Sequence, residues 1–317
     1  MAARRRASVL VYRPTGADTF AARVRAPRGR VTIHAASTAD EAKAVIGEVD
    51  VVWAWKFPPI LYEKAARLAW LETMGAGVDW ALAPELPSSV TVTRAAGVFG
   101  PWMAEYTLGW CLHVTQRMGA YGEAQRARQW RDDVVPDRLR GKTMVIVGLG
   151  EIGRTIARTA RSLGVRVVGV SRSGRRAPGV SRVYRPSHLG RALAEGDFVV
   201  LVTPLTAETR GLIGERELGA MKSSAWVVNI GRGALVDETA LVKSLDAKRI
   251  AGAVLDVFAA EPLPPSHPLW TFDNVIVTPH IAGPDIPEEL ATVFNGNLAR
   301  YLAGRPLRHV VDRQHGY

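Results

Sequence analysis

Short apolar runs alternate with helix-like stretches along this chain, and that alternation predicts the fold class. In the first hundred residues, Ser8–Tyr12, Val31–Ala35, Val49–Trp53, Leu68–Thr73 and Ser89–Thr93 have strand length and strand composition. Between the second and third, Thr38 with Glu41 three residues on forms a capping box ahead of a helical pattern. Pro101 opens a longer helical segment with an apolar face of Met103, Tyr106, Leu108, Cys111, Leu112 and Val114, expected to continue past Gly119. A polar, Arg-rich stretch from Gly122 to Arg140 leads into a second alternating region. There, Thr143–Val147, Val165–Val170, Asp197–Val202, Ala225–Ile230, Ile250–Asp256 and Asn274–Thr278 are almost continuously apolar, as strands buried on both faces are. After Pro284 and Pro287 a terminal helix is expected to about Ala303. Alternating strands and helices predict an α/β protein built on parallel sheets.

Composition narrows the class. The chain has 317 residues, which at roughly 150 residues per domain suggests two domains. With 47% hydrophobic and 22% charged residues it is too apolar for a disordered protein. No run reaches the ~18 to 20 apolar residues of a membrane helix. The basic start, Met1 to Arg6, has the flavour of a signal-peptide n-region, but Ser8–Tyr12 is too short for the apolar core that must follow, and Arg13-Pro14 ends it. The single cysteine, Cys111, excludes a disulfide framework and argues against a thiolate metal cluster. The expectation is a cytoplasmic protein without a metal or a membrane partner. A net charge of +11 suggests nucleic acid, yet 34 of the 41 basic residues are arginines scattered without an aromatic-interleaved basic run, so no nucleic-acid partner is expected.

The most informative turn follows the strand Thr143–Val147. Gly148, Gly150 and Gly153, with Glu151 and Ile152 between them, make a G-x-G-x-x-G pattern between a strand and a helix. One glycine makes the tight turn, one lets backbone approach a pyrophosphate, and one lets helix and strand pack closely. The helix N-terminus offers free N–H groups to the anion. An acid is expected about 20 residues later to bind the ribose 2′-hydroxyl of NAD. The chain has Ser171, Arg172 and Ser173 there, then Arg175 and Arg176. A carboxylate would repel a 2′-phosphate whereas an arginine and hydroxyls bind it, so NADPH is the expected cofactor, with NAD possible.

Ligands of open α/β sheets bind outside the carboxyl ends of the strands. The second region places Arg232 between Gly231 and Gly233 after Ile230, Glu261 in the loop after Asp256, and His280 after Pro279. These groups suit hydride chemistry on a carbonyl. The developing alkoxide needs a proton donor, for which histidine serves near neutral pH. A neighbouring carboxylate orients the ring and favours its charged form, as Glu261 would for His280. Arginine grips a carboxylate through two parallel hydrogen bonds and polarises a carbonyl. In the first region, Gly75, Ala76 and Gly77 follow a strand and are expected to offer backbone N–H groups as an anion nest for the substrate carboxylate.

Five segments together resemble the D-isomer specific 2-hydroxyacid dehydrogenase family: Gly75–Asp79, Gly148–Gly153, Asn229–Asp237, Leu255–Phe258 with Glu261-Pro262, and Thr278–His280. They lie in the family's order and span most of the chain. Ser171–Ser173 and His267–Trp270 are similar to its glyoxylate/hydroxypyruvate reductase branch. The resemblance implies two doubly wound parallel-sheet domains, a Rossmann cofactor domain (100–283) inserted into a flavodoxin-like substrate domain (1–99 and 284–317). It implies that Arg232 binds the substrate carboxylate and carbonyl, that His280 is the acid/base and that Glu261 is its partner. It implies cofactor contacts at Gly148, Gly150, Glu151, Ile152, Gly153, Ser171, Arg172, Ser173, Ile230 and Gly231. Thr203 and Pro204 would flank the adenosine side, and Asp256 would contact the nicotinamide carboxamide. A homodimer through the arm near 100–140 is also implied.

The expected activity is NADPH-dependent reduction of a short 2-oxoacid, such as glyoxylate or hydroxypyruvate, to a D-2-hydroxyacid. Trp53 and Trp55 are an unusual pair of indoles in the first region, and Trp55 is a candidate substrate contact. A larger aromatic 2-oxoacid is therefore an alternative, as are phosphite or formate as reductant. From a different class, the rival is a dinucleotide-sensing binding protein that keeps the fold without turnover.

Overall fold

The apolar runs pair into two sheets, each parallel throughout. The first contains β1 (Ala7–Tyr12), β2 (Val31–Ala36), β3 (Val51–Ala54), β4 (Trp70–Thr73) and β5 (Thr91–Arg94), in the order β2-β1-β3-β4-β5. The second contains β6 (Thr143–Val147), β7 (Arg166–Val170), β8 (Arg182–Tyr184), β9 (Phe198–Leu201), β10 (Trp226–Asn229), β11 (Gly252–Leu255) and β12 (Val275–Val277), in the order β12-β11-β10-β9-β6-β7-β8. The first is the flavodoxin-like order. The second, counted from the β8 edge, is the dinucleotide-binding order 3-2-1-4-5-6 extended by one strand. The computed structural model describes residues 6–317, so the basic stretch Met1–Arg5 lies outside the described residues. By internal packing the chain divides into two units: everything up to Val98 together with Asp285–Tyr317, and Phe99–Pro284.

Burial explains which strands the hydrophobic pattern reveals. β6 and β9 are buried at every position, whereas β8 is exposed or half-buried throughout. β8 is an edge strand of three residues without an apolar run, and the sequence pattern does not disclose it. The capping box forms as expected: Thr38 accepts from the N–H of Glu41, and Glu41 reaches back to the Thr38 N–H. The long helix begins at Phe99, two residues ahead of Pro101, and ends at Thr115. Past Gly119 it continues only as a second helix, Met118–Arg126, because Arg117 turns the backbone left-handed at φ 55°.

In the first unit, the terminal helix Pro287–Leu302 closes the core. Its Phe294 stacks on Trp53 at 4.5 Å and on Trp70 at 5.2 Å between ring centroids. Trp53 is therefore core. The chain beyond the helix runs along β5, with the Val311 N–H donating to the Val92 carbonyl at 2.9 Å.

Beneath these rings lies Glu72, fully buried on β4. Its Oε2 accepts from Asn297 Nδ2 (2.7 Å) and Thr93 Oγ1 (2.9 Å), while its Oε1 has no partner among the described residues. Burial pushes the carboxyl up to about 7, against the two hydrogen bonds, which lower it. An exposed Glu titrates near ~4.3. Between those values the folded chain keeps a proton that the unfolded chain has released, so stability falls as pH rises through that window and is level above it. E72Q, which cannot ionise, is expected to lose this slope. Its unfolding free energy relative to wild type should improve by about 3 kcal/mol from pH 4 to pH 8. Parallel stability–pH curves for the two proteins would refute this account.

Candidate active site

The turn after β6 separates the roles of its three glycines. Gly148 has φ 110°, and a Cβ there would lie 2.8 Å from both Thr203 N and Val202 O. Gly153 has no room either, since a Cβ would overlap the Gly148 carbonyl. Gly150 differs, with nothing within 4 Å of its would-be Cβ. One glycine thus shapes the turn, one packs helix on strand, and the middle one leaves backbone open to an approaching group, the pattern a pyrophosphate needs. The helix that follows, Glu151–Ser162, has no side-chain cap, and its first internal bond is from Arg154 N to Gly150 O at 3.0 Å. The N–H groups of Ile152 and Gly153 precede that bond at the positive end of the helix dipole. The residues present fit a bound dinucleotide.

At the end of β7, Ser171 is half-buried while Arg172 and Ser173 are exposed. The segment is a tight turn, closed by Gly174 N to Ser171 O at 3.1 Å. The Ser171 N–H also bonds to Tyr184 O at 3.0 Å, so β8 fixes where the turn points. Thr203 and Pro204 follow β9 against Gly148, and Thr209 Oγ1 holds the Pro204 carbonyl at 2.7 Å.

The three polar groups stand on loops at the carboxyl ends of β10, β11 and β12. After β10, Asn229 organises the turn: its Nδ2 donates to Arg232 O (2.9 Å) and its Oδ1 accepts from Gly231 N (3.2 Å). Arg232 is half-buried, with Nη1 on the Gly231 carbonyl at 2.8 Å. Gly233 is buried so tightly that a Cβ would overlap the Phe258–Ala259 peptide of the next loop. Backbone contact therefore ties the Arg232 turn to the loop that carries Glu261.

His280 and Glu261 meet directly. His280 Nδ1 lies 2.9 Å from Glu261 Oε2, and their side chains are 30% and 26% exposed, so the pair is formed yet reachable. An ionised carboxylate only accepts, so Nδ1 carries the proton and the neutral ring has its lone pair on Nε2. Glu261 is itself held, its Oε1 accepting from Phe258 N at 3.1 Å. His280 has a left-handed φ of 55°, uncommon for a residue with a side chain. Its N–H donates to the Asp256 carbonyl at 2.8 Å, which secures that conformation.

Asp256 does more than sequence reasoning assigns to it. It is 1% exposed. Its Oδ1 accepts from Thr278 Oγ1 (2.6 Å) and Ile281 N (2.8 Å), and its Oδ2 from Ala282 N (2.9 Å). Of about four acceptor sites on a carboxylate, one remains for any cofactor contact. Tyr106, whose hydroxyl burial pushes up, extends the network to Thr278 Oγ1 at 2.6 Å. The buried acid thus clamps both flanks of His280. A lone Asp in an apolar run carries no signal of such a network.

In the first unit, the half-buried Trp55 covers the turn after β4. A Cβ on Gly75 would come within 2.9 Å of its ring. Neither Gly75 nor Gly77 has a positive φ, so the turn lacks the alternating backbone of a nest. Among the described residues no acceptor takes the N–H of Gly75, Ala76 or Gly77. No group of three or more His, Cys, Asp or Glu among the described residues could hold a metal, and no helix is long and apolar enough to cross a membrane.

Comparison with known proteins places this arrangement. Residues 108–282 match the model of the D-isomer specific 2-hydroxyacid dehydrogenase NAD binding domain. The chain is 36% identical to a glyoxylate reductase of Thermofilum pendens over 261 residues, covering 80% of this chain and 77% of that one. It is 32% identical to glyoxylate/hydroxypyruvate reductase A of Klebsiella pneumoniae over 276 residues, 84% and 88% of the two chains. In structure it is similar to the NADPH-dependent glyoxylate/hydroxypyruvate reductase of Sinorhizobium meliloti, solved with NADP and sulfate. The TM-score is 0.90 at 30% identity, covering 99% of this chain and 100% of that one. With the family's cofactor-domain model matched over more than half its length, the chain belongs to the D-isomer specific 2-hydroxyacid dehydrogenases, NAD(P)-dependent oxidoreductases acting on CH–OH donors, on their glyoxylate/hydroxypyruvate reductase-like branch.

Proposed function

We propose that the protein reduces short 2-oxoacids of the glyoxylate and hydroxypyruvate type to D-2-hydroxyacids, with NADPH as reductant. The observation that carries this reading is the His280–Glu261 pair at the carboxyl end of the cofactor sheet, which holds the ring through Nδ1 and makes Nε2 the atom proposed to serve a substrate oxygen. Gly148 to Gly153 would hold the pyrophosphate, and Ser171, Arg172 and Ser173 the 2′-phosphate. Thr203, Pro204, Ile230, Gly231 and Asp256 would line the remainder of the dinucleotide. When bound, the reduced nicotinamide supplies a hydride to the carbonyl carbon. Arg232 binds the substrate carboxylate and polarises the carbonyl oxygen. The ring of His280, protonated on both nitrogens, gives its Nε2 proton to the developing alkoxide and returns to the neutral form with its lone pair on Nε2, while Glu261 accepts the Nδ1–H throughout. Trp55 and the Gly75–Gly77 turn would contact substrate from the first unit.

NADPH consumption with glyoxylate, hydroxypyruvate and phenylpyruvate tests the reading. A protein that binds NADPH and turns none of them over is a sensor instead. The cofactor preference rests on Arg172. A charge-assisted hydrogen bond of about 1.5–3 kcal/mol gives roughly 10- to 150-fold preference for NADPH over NADH. R172D is expected to raise the KM for NADPH and to narrow or invert that preference. Equal efficiency of the unaltered protein with both cofactors would contradict the assignment.

A homodimer through the arm near 100–140 belongs to the same proposal. Trp130 and Val135 are 93% and 75% exposed there, an unusual display of large apolar side chains. Sedimentation at the mass of a monomer would remove it.

A further inference from the structure

We propose that Glu238 and His267 are positioning residues that hold the loop carrying Glu261, and through it the bearing of Glu261 on His280. The proposal rests on the reading of His280 as the proton donor. Its centre is the Phe258–Ala259 peptide. The Phe258 N–H donates to Glu261 Oε1 at 3.1 Å, and the next N–H, that of Ala259, donates to Glu238 Oε1 at 2.8 Å. Two successive backbone donors therefore grip two different carboxylates. Gly233 lies flat against the same peptide, where any side chain would overlap it. The Arg232 turn, the Glu261 side chain and the Glu238 side chain thus meet on two adjoining peptide units that share Phe258.

Glu238 is itself fixed. It is the first residue of the helix Glu238–Asp246, whose cap Asp237 accepts from Ala240 N at 3.0 Å. Its second oxygen, Oε2, faces His267 Nε2 at 3.5 Å, and both side chains are 20% exposed. His267 Nδ1 accepts from Leu269 N at 3.3 Å, so the ring proton resides on Nε2, the nitrogen that lies 3.5 Å from Glu238. The result is a continuous series: His267, Glu238, the Ala259 N–H, the Phe258 N–H, Glu261, His280. Only the last two members of the series stand where substrate is proposed to react, so Glu238 and His267 act through Glu261.

The test compares E238A with E238Q, whose amide oxygen still accepts from Ala259 N. E238A is expected to lower kcat by roughly tenfold to a hundredfold, the scale of a misplacement of about 1 Å. The KM for NADPH should stay near wild type, and E238Q should recover most of the turnover. H267N, which keeps an acceptor for Leu269 N but removes the imidazole nitrogen that faces Glu238, should show a smaller loss in the same direction. An independent readout is the His280 Nδ1 proton in the NMR spectrum of 15N-histidine-labelled protein, shifted downfield by Glu261. It should move or broaden in E238A and hold its place in E238Q. Wild-type kcat and an unmoved resonance in E238A would overturn the proposal. So would equal losses in E238A and E238Q accompanied by lost NADPH binding, which would mark a general structural defect. Wild-type turnover in H267N would remove His267 from the assignment. Should H280A retain turnover, the reading of the proton donor fails, while the resonance still reports whether Glu238 positions the pair.

Discussion

H280A is expected to lose about 10²- to 10⁴-fold in kcat, the usual contribution of a general acid–base group. NADPH affinity should change little, because the ring pairs with Glu261, and the backbone bonds of His280 to Asp256 and Thr278 remain in the variant. E261Q separates the two halves of the pair. The amide can still sit beside Nδ1, but it no longer offers a negative charge 2.9 Å away to stabilise the imidazolium. The loss should be smaller than for H280A, because the ring stays in place and only the charge beside it is gone. Wild-type turnover in H280A would place the proton donor elsewhere.

Sequence reached furthest where the chemistry of a position is steric. Gly148, Gly150 and Gly153 differ in what a Cβ would meet, and the G-x-G-x-x-G spacing encodes those three demands without knowledge of the fold. The buried strands were legible for a similar reason: a strand covered on both faces leaves an unbroken apolar run. β8 was not, because an edge strand of three half-exposed residues has no such run. Polar networks were the other gap. Asp256, Glu238 and His267 accept hydrogen bonds from backbone N–H groups 26, 21 and 2 residues away. Residue type and period do not show which N–H an acid will find. Glu72 makes the same point from the core, where an acid in a strand reads as solvent-facing yet is fully buried. Trp53 and Trp55 divide by a two-residue step: one stacks on Phe294 inside the strand, and the other, just beyond the strand end, covers Gly75.

In the proposed function, Arg232 decides the substrate class. A planar guanidinium bound to both carboxylate and carbonyl gains most when the two groups are adjacent, which is the definition of a 2-oxoacid. Activity is therefore expected on 2-oxoacids and scarcely at all on the matching esters, aldehydes or ketones. R232K should not rescue function. The ammonium is a point charge on a flexible stem and cannot make two parallel hydrogen bonds in one plane. Nor can it reproduce the bond from Nη1 to the Gly231 carbonyl while keeping a second face for substrate. A hydrogen bond to a charged group is worth about 1.5–3 kcal/mol. Losing a bidentate grip should therefore cost roughly 10²- to 10⁴-fold in kcat/KM. The loss should appear in both KM and kcat, because the carboxylate is held before reaction while the carbonyl is polarised most strongly during it. Chain length is a separate question, to be read from the first unit's Trp55. If kcat/KM for phenylpyruvate exceeds that for glyoxylate and hydroxypyruvate tenfold, and W55A abolishes the difference, the substrate is aromatic while the 2-oxoacid chemistry stands. Full activity toward an ester without a free carboxylate would instead remove Arg232 from the role it has here.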